Sequence, residues 1–68
     1  MSANKSNVEQ IITMAEDLQE ETHNVMLSLT RSGAWDVHAD NMLKNISDIL
    51  DDVILIYESK LEAIENES

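Results

Sequence analysis

The six residues RSGAWD, 31–36, decide how this chain folds, because they hold the single glycine of a 68-residue sequence that has no proline. Glycine and proline are the strongest interruptions of helix, so such a composition predicts long helices with one main break. Arg31 puts a cation at the negative end of a helix dipole, and Gly33 suits the left-handed position that follows a helix. The first helix should therefore stop near Ser32. Asp36 is the best N-cap for the next one, with Asp40 adding favourable negative charge to its first turn. Only Gly33-Ala34-Trp35 remains as a link, which folds the second helix back antiparallel on the first.

Upstream of the break, Ser6-Asn7-Val8-Glu9 reads as a capping box, with the Ser6 hydroxyl accepting from the Glu9 amide and the Glu9 carboxylate reaching back. From there Val8, Ile11, Ala15, Leu18, Thr22, Val25 and Leu29 alternate steps of three and four, as a helix seam requires. Ile12 and Met26 widen that seam on one side. Downstream, Leu43, Ile46, Leu50, Val53 and Tyr57 form a second seam, and Met42, Ile49, Ile56 and Ala63 lie beside it. Within DDVILIYESK, 51–60, Val53 to Tyr57 run unbroken. With Ile54, Leu61 and Ile64 added, the apolar arc exceeds the ~100° stripe that a single neighbour covers.

The expected fold is all-α: one domain over residues 1–68, an antiparallel two-helix hairpin with helices at about 7–32 and 37–65. Its surplus apolar arc calls for completion to a four-helix bundle, by dimerisation or by a partner. Residues 1–5 and 66–68 are expected to fray. A chain of this length sits at the margin of what one core can stabilise, and without cysteine it has no disulfide to help. Oligomerisation or a bound partner is the remaining source of stability.

Fourteen Asp and Glu against four Lys and Arg give a formal charge of −10. That charge opposes direct binding to nucleic-acid phosphates or anionic membrane, and suits a basic protein partner or mimicry of nucleic acid. Glu16/Glu20, Asp17/Glu21, Asp48/Asp52 and Glu58/Glu62 are like-charge pairs at i,i+4, each unfavourable by about 0.2–0.5 kcal/mol, whereas Asp40/Lys44 is a well-oriented opposite pair. No apolar run approaches the ~18 residues of a membrane span, and Met1 to Asn7 are polar, which reads as a cytoplasmic protein.

Little in the chain suggests chemistry. Glu20 and His23 have the E-x-x-H spacing of di-iron bundles, but with Thr22 on the seam, Glu20 lies about 200° round the helix from it, so His23 is expected in solvent. Ser28, Ser32 and Ser47 have no His and carboxylate at a helpful spacing, and no glycine-rich loop exists to hold phosphate. No catalytic residue, metal or cofactor is expected. The candidate partner-binding residues are Met42, Ile46, Ile49, Val53, Ile54, Ile56, Tyr57 and Leu61, with Asp48, Asp51, Asp52 and Glu58 as electrostatic contributors. Trp35 is expected to plug the closed end of the hairpin, and is also the aromatic that would anchor a partner.

Two family resemblances add to this reading. Ser47, Leu50, Asp51, Ile54 and Tyr57, within ISDILDDVILIY at 46–57, match the S-Q-E-L-D segment and following L-I-x-x-Y of small sporulation-regulatory phosphatases that act on response-regulator aspartyl-phosphate. Asp48 and Ile49 stand where that motif has Gln and Glu. The resemblance implies a helical hairpin in which Asp51 is inserted toward the phosphorylated regulator. The acidic hairpin, the Arg31-Ser32-Gly33 turn and the apolar DILDDVILIY of the second helix are similar to the small co-chaperones of type III secretion needle subunits. That resemblance implies packing on a tetratricopeptide-like partner to shield an aggregation-prone subunit. The residues together lead us to expect a small acidic protein-binding or assembly module of adaptor, co-chaperone or inhibitor type. The alternatives are a regulator that dephosphorylates aspartyl-phosphate and an acidic nucleic-acid mimic that inhibits a DNA-binding protein.

Overall fold

The computed structural model describes residues 4–67, which form α1 (Lys5–Ser32) and α2 (Val37–Glu67). The helices lie antiparallel in a rod of 52 × 17 × 16 Å. The all-α hairpin expected from RSGAWD is thus what forms. Gly33 has φ 76° and ψ 12°, its N–H donates to the Thr30 carbonyl at 3.3 Å, and the Ala34 N–H donates to the Leu29 carbonyl at 3.0 Å. These bonds satisfy carbonyls that the end of α1 would otherwise leave unpaired. Asp36 caps α2 as its sequence position predicts: its Oδ1 accepts from the N–H groups of His38 at 2.9 Å and Ala39 at 3.0 Å. One turn on, Lys44 donates to Asp40 at 2.9 Å.

The start of α1 differs from expectation. Asn4, not Ser6, is the N-cap; its backbone is extended and its side-chain oxygen accepts from the Asn7 N–H at 2.8 Å. Asn offers the same acceptor as Ser, and capping earlier draws Lys5 into the helix, where its ammonium lies 3.6 Å from Glu65 on the far end of α2. The expected capping box is therefore not formed. Lys5, Asn66 and Glu67, expected to fray, are helical, while residues 1–3 and 68 of those expected ends lie outside the described residues.

The packed seams also differ. On α1 the buried and half-buried positions are Val8, Ile12, Ala15, Gln19, Thr22, Met26 and Leu29, so Ile12, Gln19 and Met26 replace the expected Ile11, Leu18 and Val25. On α2 they follow Leu43, Ser47, Leu50, Ile54, Tyr57, Leu61 and Ile64, so Ser47 and Ile54 take the places expected for Ile46 and Val53; Val53 is half-buried at the edge. In this register the polar groups of the seam are satisfied: Gln19 donates its amide to the Ser47 backbone carbonyl at 3.1 Å and to the Asp51 carboxylate. The buried Thr22 hydroxyl donates to the Leu18 carbonyl at 2.8 Å, so it too is satisfied. Well-buried apolar packing is confined to the open half, where Val8, Ile12, Ala15 and Ile54 meet with Leu50, Tyr57, Leu61 and Ile64 around them.

A Cβ added at Gly33 would meet nothing within 4 Å, so the cost of Gly33→Ala is purely conformational. We expect about 1 kcal/mol of lost stability and a thermal midpoint about 4–8 °C lower by circular dichroism. An unchanged midpoint would contradict the left-handed cap. Asp36→Ala should cost a further ~1 kcal/mol, with Asp36→Asn close to wild type in the same melts.

Candidate functional site

With the seams placed, each helix carries a second apolar stripe that the hairpin does not use. On α1 it is Ile11, Met14, Leu18 and Val25; on α2 it is Met42, Ile46, Ile49 and Ile56, with half-buried Val53 completing the steps of four and three. Met42 is 65% exposed and Ile49 61%. At about 100° per residue, each stripe lies roughly 90° round its helix from the packed seam, displaced in the same rotational sense when each helix is viewed from its own N-terminus. Because the helices are antiparallel, the two stripes fall on the same side of the hairpin. They make one long apolar face, interrupted by Glu21 on α1 and Lys60 on α2.

At the open end this face runs into a shallow cleft of about 530 Å³, lined by Val8, Lys60, Ala63 and Ile64 among others. The exposed surface of the molecule amounts to 5250 Å², roughly 900 Å² more than the ~4,300 Å² of a compact globule of 7.7 kDa, as expected of a rod of 52 × 17 × 16 Å. Soluble monomers rarely leave a continuous apolar patch of more than a few hundred square ångströms bare.

The opposite side is acidic. Glu9, Glu16 and Glu20 on α1 and Asp51, Glu58 and Glu62 on α2 are displaced from the seams in the other sense, flanking the same groove, and all are exposed. Leu27 and Leu55 are large apolar side chains exposed on that side. Asp17, Asp48 and Asp52 point away from the neighbouring helix. The hairpin is therefore two-sided, with oil on one broad face and negative charge on the other.

The residues singled out from sequence sort clearly on this framework. Met42, Ile46, Ile49 and Ile56 lie on the exposed face, and Val53 borders it. Ile54, only 9% exposed, is a core residue packed on α1, and the half-buried Tyr57 and Leu61 pack against the same cluster, so these three are occupied within the hairpin. Trp35, 53% exposed, does not plug the closed end and stands in the link beyond both helices. Asp51 is exposed, but its carboxylate already accepts from Gln19. Asp48, Asp52 and Glu58 are exposed, as are Glu20 and His23.

The stripe on α1 went unrecognised in the sequence as a separate surface. Its signal was present: the adjacent pairs Ile11/Ile12, Leu18/Gln19 and Val25/Met26 each offer one member to either of two parallel seams, and Met14 fits only the outer one. Among the described residues, no three His, Asp or Glu side chains are grouped to hold a metal, and no helix is long and apolar enough to cross a membrane. Comparison of the chain with protein-family models, with curated proteins and with solved structures finds no match.

Proposed function

We propose that this chain is a small acidic binding and assembly module, of adaptor, co-chaperone or inhibitor type, that works by laying its apolar face against another helical protein surface. The observation that carries the reading is that both helices expose a heptad-spaced apolar stripe and that the two stripes lie side by side. A stripe on one helix would accommodate a single docked helix. Two adjacent stripes on a flat pair of helices fit a second layer of two helices, which is how four-helix bundles are built. The acidic side supports the same role, since it stays hydrated when the apolar face is covered and repels phosphate backbones and anionic lipid.

The test is the size of the complex that the tagged chain forms in extracts of its host, measured by native mass spectrometry. Wild type should run in an assembly larger than one chain. Ile49→Asp and Ile56→Asp should lose it, and Leu55→Asp, whose side chain is as exposed as that of Ile49 at 61% but lies on the acidic side, should keep it. A lone wild-type monomer, or equal assembly in all three variants, would sink the proposal.

A further inference from the structure

The cleft at the open end belongs to the apolar face, nothing in the structure shows what covers that face, and a row of carboxylates alone is not a site. The seam between the helices carries more. We infer that the hairpin has a second packing register open to it, and that the bridge from Gln19 to Ser47 and Asp51 is the latch that holds it in the first.

Each helix carries a packed column that both registers share, made of every seventh residue from Val8 on α1 and from Leu43 on α2. Four residues after its members come Ile12, Gln19 and Met26 on α1 and Ser47, Ile54 and Leu61 on α2, which the fold buries or half-buries. Three residues after them come Ile11, Leu18 and Val25 on α1 and Ile46 and Val53 on α2, of which all but Val53 are exposed. The column in use thus holds two polar residues. The column left out meets one interruption, Lys60, whose aliphatic stem can lie along a seam while its ammonium stays in water.

Exchanging one column for the other is a small movement. Adjacent residues stand ~100° apart on a helix, so shifting the seam from one column to its neighbour turns each helix by about 50° and carries its Cα atoms about 2 Å. Both outer columns are displaced in the same sense when each helix is viewed from its own N-terminus. In antiparallel helices the two turns therefore run in opposite senses across the contact, and the helices roll over one another without sliding. The link does not oppose this, because Trp35 is 53% exposed and a Cβ added at Gly33 would meet nothing within 4 Å.

The bridge is what the second register gives up. Gln19 donates to the Ser47 carbonyl at 3.1 Å and to the Asp51 carboxylate; after the roll it bonds to water instead, while Leu18 and Ile46 leave water for the seam. Ile11, Leu18 and Ile46 are then withdrawn from the apolar face. The register thus sets how much of that face the hairpin offers, and Gln19 is the residue that keeps it on display.

The experiment is methyl NMR of the purified full chain and its Gln19 variants. Wild type should show methyl contacts for Ile12 and Ile54 within the core. Gln19→Glu removes the amide donor and sets a second carboxylate beside Asp51, and Gln19→Ala removes both hydrogen bonds while keeping helix propensity. In both, Ile12 and Ile54 should lose their contacts and Leu18 and Ile46 acquire contacts across the hairpin, the share of the second register rising at least about tenfold. Gln19→Leu fills the first seam with oil and should keep the wild-type contacts. Leu27 and Leu55, in water in either register, should not change.

The loss at Ile12 and Ile54 is the deciding half, since a molecule seated on the apolar face would add contacts at Leu18 and leave the old ones in place. Retention of the Ile12 and Ile54 contacts in both Gln19→Glu and Gln19→Ala overturns the inference. So does loss of helix in both, because a chain with a second seam has somewhere else to pack, and so does a transfer of contacts in Gln19→Leu. The inference concerns the isolated hairpin: a fixed register with Ile49-dependent assembly in host extract would remove the latch and leave the binding reading standing, and a register that switches in a chain that assembles with nothing would do the reverse.

Discussion

Two helices that touch only each other can each bury one stripe, and everything distinctive about this molecule follows from its helices having two. The packed stripe is set by Val8, Ile12 and Ala15 against Ile54, with Leu50, Tyr57, Leu61 and Ile64 around them. Toward the loop the same stripe becomes polar at Gln19, Thr22 and Ser47. The Gln19 amide bridges to the Ser47 carbonyl and the Asp51 carboxylate, so the rotation of each helix is pinned by hydrogen bonds as well as by oil. A polar contact in a helical seam costs burial and gains a unique register, the role that single polar residues serve in coiled coils. Slipping either helix by one position would free Gln19 and bury Leu18 or Ile46 in its place.

That register distributes the chemistry of the surface. Rotating the seams onto Ile12 and Gln19, and onto Ser47 and Ile54, turns Ile11, Leu18, Ile46 and Ile49 outward together on one side. The same rotation collects Glu16, Glu20, Asp51 and Glu58 on the other. The segregation of charge from oil is therefore a consequence of one packing choice, made by a handful of residues in the middle of the rod.

The sequence disclosed the hairpin because its punctuation is local. Gly33 needs a left-handed backbone, Asp36 needs amides to accept from, and Arg31 suits a helix end whatever lies across from it. The first cap was less legible because Asn4 and Ser6 offer equivalent oxygens two residues apart, and the one used is Asn4. The seams were less legible still. Val8, Ala15, Thr22 and Leu29 fit either of two neighbouring stripes, and ranking by hydrophobicity favours Leu18 over Gln19 and Ile46 over Ser47. Such ranking assumes that the most apolar residues face the neighbour within the chain. Here Gln19 and Ser47 take those places, joined by a hydrogen bond, and the side chains so displaced are those available to an intermolecular surface. Trp35 was misplaced for a related reason: an aromatic in a short link is normally tucked in, and here the helices end before they can cover it.

The position of the core bears on how the chain finds its shape. The firmest packing lies at the end of the rod remote from the connecting turn, where Val8 meets residues of the C-terminal half of α2. A hairpin that zips outward from its bend is rewarded early, by contacts between residues near in sequence. This one gains most of its burial only after segments about fifty residues apart have come together. The extra closure entropy over a ten-residue loop is modest, about 1.4 kcal/mol, yet it falls before the reward. Nascent helices are thus expected to collide and separate repeatedly before they lock, so the folding rate should answer more to mutation near the two termini than to mutation beside the bend.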